Sequence, residues 1–226
     1  MDVLNTLPKF PGSRPAAVVL SGLTALLTVL LLAVPNPGQA AGTALTGSAD
    51  AGKTKSVTCA ACHGADGNSV NPEWPSLAGQ HASYLVKALK TFKSGERKNV
   101  LMSGMAMPLT DQDMADLAAY FSEQKLAPGV ADPALVAAGE RLFRGGDKDT
   151  GVPACLACHG PTGHGNEPAA WPAIAGQHAA YAAAQLTAYR QKERTTDGDT
   201  QMMRNVASAL SDDDIKAVSA YIQGLY

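Results

Sequence analysis

A five-residue pattern that occurs twice constrains this chain more than any other feature: Cys59-Ala60-Ala61-Cys62-His63 and Cys155-Leu156-Ala157-Cys158-His159. Both are C-x-x-C-H, the attachment pattern of a c-type haem. Two thiols a turn apart can add to the two vinyl groups on one edge of a porphyrin. The histidine that follows then lies beneath the ring, where its imidazole can bind iron as the proximal ligand. Competing uses of cysteine fit less well. A thioredoxin-like pair expects a βαβ context and no obligatory histidine, and a zinc ribbon separates its pairs by roughly 15–20 residues, far less than here. Structural disulfides would suit an exported chain, but the two motifs consume all four cysteines. Two covalently bound haem c groups are expected, held by Cys59, Cys62, Cys155 and Cys158, with His63 and His159 on the irons.

The first forty residues read as an export signal. Lys9 and Arg14 outweigh Asp2, an uncharged apolar run covers 16–34, and Gly38 and Ala40 supply the small residues of a cleavage site. The alternative is a retained membrane anchor, because the run is near the ~20 residues that span a bilayer. Either way the rest of the chain is expected outside the cytoplasm. A net charge of −2 argues against a nucleic-acid partner.

The remainder is a tandem duplication. Trp74-Pro75-Ser76-Leu77-Ala78-Gly79-Gln80-His81 returns as Trp171-Pro172-Ala173-Ile174-Ala175-Gly176-Gln177-His178, and Tyr84, Leu89, Phe92 and Arg97 return as Tyr181, Leu186, Tyr189 and Arg194. Further on, Leu109-Thr110-Asp111 matches Leu210-Ser211-Asp212 at an offset larger by four, which places an insertion in 195–200. The division is a leader at 1–40, one domain at 41–129 and a second at 130–226, joined through the Pro- and Gly-containing stretch 125–133.

Each unit reads as all-α. Helices are expected over 49–57 and 134–143, over 81–93 and 178–192, and after Thr110 and Ser211, good N-caps followed by acidic first turns. Met114, Leu117, Ala118 and Phe121 form an i, i+3, i+4, i+7 stripe that Ile215, Val218, Ser219 and Ile222 repeat. No strand is evident. Domains of about 90 residues bury a modest apolar area, so a porphyrin at each centre is expected to be part of the fold, and the haem-free chain is expected to be largely unfolded.

The copy register selects a second iron ligand. With Leu109 aligned on Leu210, Met102 falls on Met203, whereas Met105 and Met107 fall on Val206 and Ser208. Met102 and Met203 are therefore the expected distal ligands, and the competing bis-histidine pair is His81 and His178. His164 has no counterpart. Thioether ligation raises the potential relative to imidazole and leaves no open position for oxygen or peroxide.

These motifs together, with Phe143-Arg144-Gly145-Gly146 and the ending Tyr221-Ile222-Gln223-Gly224, resemble the dihaem cytochrome c4 family over essentially the whole chain after residue 40. The resemblance implies two tandem class I cytochrome c domains with His63/Met102 and His159/Met203 ligation. It also implies that the carbonyls of Pro75 and Pro172 accept the ring N–H of the proximal histidines. Its functional implication is a periplasmic, peripherally membrane-associated carrier with redox protein partners and no small-molecule substrate. Electrons would pass from a donor such as a quinol–cytochrome c reductase to a terminal oxidase. A cytochrome subunit of a flavocytochrome or other dehydrogenase is the alternative. A dihaem peroxidase is disfavoured, because it needs an open iron position.

Overall fold

The computed structural model describes residues 45–225. The expected leader, its cleavage point and the anchor alternative all lie outside the described residues. Within them the chain is two copies of one five-helix arrangement. The first contains α1 (Ala49–Lys55), α2 (Val57–His63), α3 (Ala82–Ser94), α4 (Val100–Ala106) and α5 (Asp111–Ser122). The second contains α6 (Pro133–Gly145), α7 (Leu156–His159), α8 (Ala179–Arg190), α9 (Met202–Ser208) and α10 (Asp212–Gln223). Among the described residues, β pairing is confined to two isolated bridges, Asp147–Val152 and Asn166–Trp171. No described helix is long and apolar enough to cross a membrane.

The helix starts follow local chemistry. Thr110 and Ser211 open α5 and α10 with complete capping boxes. Each hydroxyl accepts the N–H of the residue three ahead, Asp113 or Asp214, whose carboxylate accepts the N–H of the cap. Pro133 occupies the first turn of α6 behind the Asp132 cap. The expected helix at 49–57 divides in two. Ser56 closes α1, its hydroxyl donating to the Lys53 carbonyl, and the chain turns there into the motif helix α2. The short helices α4 and α9 were not anticipated, since neither carries an apolar period long enough to read.

In each copy the first helix crosses the last: α1 on α5 and α6 on α10. A glycine permits the approach. A Cβ on Gly52 would lie 2.0 Å from the Asp116 carbonyl oxygen, and one on Gly139 would lie 2.2 Å from that of Ala217. The stripes read from sequence face inward here. Met114, Leu117, Ala118 and Phe121 are buried in the first copy, and Ile215, Val218, Ser219 and Ile222 in the second.

The copies meet through the repeated W-P-x-x-A-G-Q-H segments, whose contacts are reciprocal. The Gln80 amide donates to the Ala173 carbonyl (2.8 Å) and accepts the Ala173 N–H (2.9 Å). The Gln177 amide does the same with Ser76, at 2.9 and 3.0 Å. Side-chain amides satisfied at both ends, that of Gln80 buried and that of Gln177 half-buried, specify one register between the copies.

Candidate functional site

A single, largely apolar cavity of about 910 Å³ runs between the two copies. Its lining includes Cys59, Cys62, His63 and Met102 of the first copy and Cys155, Cys158, His159 and Met203 of the second. Each motif sits on a short helix ending at its histidine, with Gly64 or Gly160 at positive φ (80° and 77°) turning the chain away directly afterwards. That turn leads to the Trp-Pro segment. The Nδ1 atoms of His63 and His159 lie 2.8 Å and 3.0 Å from the carbonyl oxygens of Pro75 and Pro172.

Burial lowers the pKa of both imidazoles, opposed by these proline contacts. Each ring is thus a neutral imidazole donating from Nδ1, with the Nε2 lone pair available as a metal ligand. Burial also pushes the Cys59 thiol up, and the Cys155 thiol up to about 11. Reactive and metal-binding cysteines show the opposite shift. All four cysteines are unpaired. Unpaired thiols two to a motif, each pair beside a buried imidazole, suit the thioether tethers of a c-type haem.

Met102 is the third residue of α4, and its N–H is accepted by the Asn99 side chain at 2.9 Å. Met203 is held differently. Arg204 beside it donates from Nε to Asp197 Oδ1 (2.7 Å) and from its backbone N–H to Asp197 Oδ2 (2.9 Å), so the inserted segment braces α9. Met105 and Met202 also reach the cavity but are 42% exposed, whereas Met102 and Met203 are half-buried. His81 and His178 do not line the cavity. Their Nε2 atoms lie 2.6 Å from the His164 carbonyl oxygen and 2.8 Å from that of Ser69, contacts that link the two copies.

Two functional residues went unrecognised in the sequence. Arg97 and Arg194 are buried on the cavity wall, and among the described residues neither has a carboxylate partner. Arg97 Nη2 donates to the Tyr181 hydroxyl (2.7 Å), and Arg194 Nη2 to that of Tyr84 (3.0 Å), each across the seam. Both also donate to Gln185 Oε1 at 2.8 Å. Burial would raise the Tyr84 phenol, but the flanking guanidiniums bring it to about 8. Two buried cations facing a cavity without counter-ions are costly, and the acidic side chains of a porphyrin would complement them. The shared offset of the two arginines was the available signal. A largely apolar cavity lined from each copy by two thiols, an imidazole, a thioether and a guanidinium fits haem c in both copies.

Comparison with known proteins agrees. The Cytochrome c family model matches residues 49–125 and 136–226. Cytochrome c4 of Stutzerimonas stutzeri is 51% identical over 210 residues, covering 89% of this chain and 99% of that protein. A thiosulfate dehydrogenase electron acceptor from S. stutzeri strain A1501 is 41% identical over 170 residues, covering 73% of this chain and 77% of its own length. The crystal structure of reduced recombinant cytochrome c4 from Pseudomonas stutzeri superposes with a TM-score of 0.78 at 54% identity, covering 80% of this chain and all of that one. With two cytochrome c units, each carrying a haem-attachment motif, the chain belongs to the cytochrome c4 family of dihaem electron-transfer cytochromes.

Proposed function

We propose that this protein is a periplasmic shuttle that moves single electrons between respiratory redox proteins and performs no substrate chemistry of its own. The observation that carries the reading is the pairing, in both copies, of a neutral proline-anchored imidazole with a half-buried methionine on one shared cavity. Bound haem c supplies a one-electron iron couple. The chain's own residues would do the rest. Cys59 and Cys62 tether the first group and Cys155 and Cys158 the second. His63 and Met102 would hold the iron of the first group, and His159 and Met203 that of the second. Pro75 and Pro172 fix the imidazole orientation and raise its basicity. Arg97 and Arg194 neutralise the porphyrin carboxylates inside the protein.

The domains are 41–129 and 130–226. A donor such as a quinol–cytochrome c reductase and an acceptor such as a terminal oxidase suit a carrier of this kind, with peripheral membrane association and no nucleic-acid or small-molecule ligand. A second reading is an acceptor for a dehydrogenase. The 41% identity to a protein named for that role favours it, over less of the chain than the cytochrome c4 match.

The test is a potentiometric titration of Met102→His. One of two midpoint potentials is expected to fall while the other holds and both haems remain attached. Two unchanged potentials would remove Met102 as a ligand.

A further inference from the structure

The two copies expose different surfaces around their methionine helices. On α4 and just beyond it, Val100 is 92% exposed, Leu101 70%, Met105 42% and Met107 59%. Single exposed apolar side chains are ordinary, but a cluster of this kind marks an interaction surface. At the matching positions the second copy has Gln201, Met202, Val206 and Ser208. Among these four only Met202 is an exposed large apolar residue. Leu101 and Met105 also line the haem cavity, so the apolar patch lies at its mouth.

Charge differs in the same place. Residues 82–111 hold five basic and two acidic side chains, and their counterparts, 179–212, hold four of each. Lys87 and Lys98 line the same cavity as Leu101, and Lys93 donates to the Leu109 carbonyl just past Met107. Where the first copy has Lys87 and Lys98, the second has Ala184 and Thr195. Within the stretch, Lys90 is paired with Asp111 at 3.3 Å, which leaves Glu96 as the other acid against three lysines and Arg97.

We propose that this face of the first copy, α4 and its lysine rim, is the docking surface for an acidic one-electron redox protein, and that the second copy lacks it. The proposal rests on the electron-carrier reading above. The rim would draw in a carboxylate-ringed partner and set its orientation. The apolar centre would exclude water at the mouth of the first copy's haem cavity. One electron then crosses between that haem and the partner's metal centre, and no bond is made or broken.

The test is calorimetric titration of the full-length, haem-loaded protein with a blue-copper protein bearing a carboxylate patch, at low salt. Lys87→Gln/Lys93→Gln/Lys98→Gln should weaken binding about tenfold or more. A control triple of the same charge change in the second copy, Lys148→Gln/Lys192→Gln/Lys216→Gln, should stay within about twofold. Val100→Ser/Met107→Ser should weaken binding about threefold or more, and equally at high salt. Equal losses in the two lysine triples, or none in the first, would overturn the proposal. So would a first-copy triple that loses binding to phosphatidylglycerol vesicles but keeps its affinity for the copper protein, since the face would then be meeting lipid. Reduction by dithionite and reoxidation by hexacyanoferrate separate the two layers of inference. Their failure would overturn the carrier reading as well as the docking surface. Their success beside an inert lysine triple would overturn the docking surface alone.

Discussion

The two copies share a topology and stabilise it by different means. In the second, ten buried residues, including Leu142, Phe143, Val218 and Tyr221, form one apolar cluster, and Ala217 sits where α6 crosses α10. In the first, the corresponding cluster has four: Leu85, Leu117, Ala118 and Phe121. At the position matching Ala217 stands Asp116, a buried carboxylate. It accepts the Lys55 ammonium at 2.5 Å, the Ser48 N–H at 2.8 Å and the Gln112 amide at 2.8 Å. Lys55 also pairs with Asp113 at 2.7 Å. One crossing is closed by packing and the other by a charged knot. A duplicated fold can thus keep its helix arrangement while the forces beneath it diverge, and the copies should fail under different stresses.

The methionine helices reverse that assignment, and this contrast carries the largest expected effect. Asn99 caps α4 through one neutral hydrogen bond, whereas α9 depends on the half-buried Asp197–Arg204 pair. Asp197→Ala leaves a half-buried guanidinium without its carboxylate and should cost about 2 kcal/mol, between the values for exposed and fully buried pairs. In denaturant titrations followed at each haem, the second site should lose its methionine-ligated spectrum first. Equal behaviour of the two sites would break the contrast.

Acid should act on the other copy. Lys55 is the main cause holding the Asp113 and Asp116 carboxyls below the 3.8 of an unfolded aspartate. Because the folded value is the lower one, this stabilisation is complete above the unfolded value and is lost as pH falls through the folded values. Hydrogen exchange at about pH 2 should show α1 and α5 opening before α6 and α10. The reverse order would mean that the knot is not what holds the first crossing.

The smallest effect concerns backbone strain. Gly95 ends α3 at φ 80°, and its counterpart Lys192 adopts φ 61° with a side chain that disfavours it. Lys192→Gly should stabilise the second copy by about 1 kcal/mol, read as a rise in its thermal midpoint. No change would show that Lys192 bears no strain.

Much of this molecule was legible because it is written twice. The haem motifs, the capped last helices and their apolar stripes each had a local pattern and a second copy to check it against. What escaped detection depends on the third dimension. α4 and α9 are too short to display a period. Arg97 and Arg194 were legible only as a repeated pair; the fold places them in the cavity wall, without a carboxylate partner among the described residues. Gln80 and Gln177 were visible as repeated letters, but their reciprocal amide contacts exist only once the copies face each other. His81 and His178, set against the methionines as rival ligands, turn to backbone carbonyls across the same seam.

The most direct test of the central claim is near-infrared magnetic circular dichroism of the oxidised protein. Two low-spin ferric haems per chain, both with the methionine–iron charge-transfer band, are expected. A bis-histidine signature or a high-spin component at either site would contradict the paired His63/Met102 and His159/Met203 assignment.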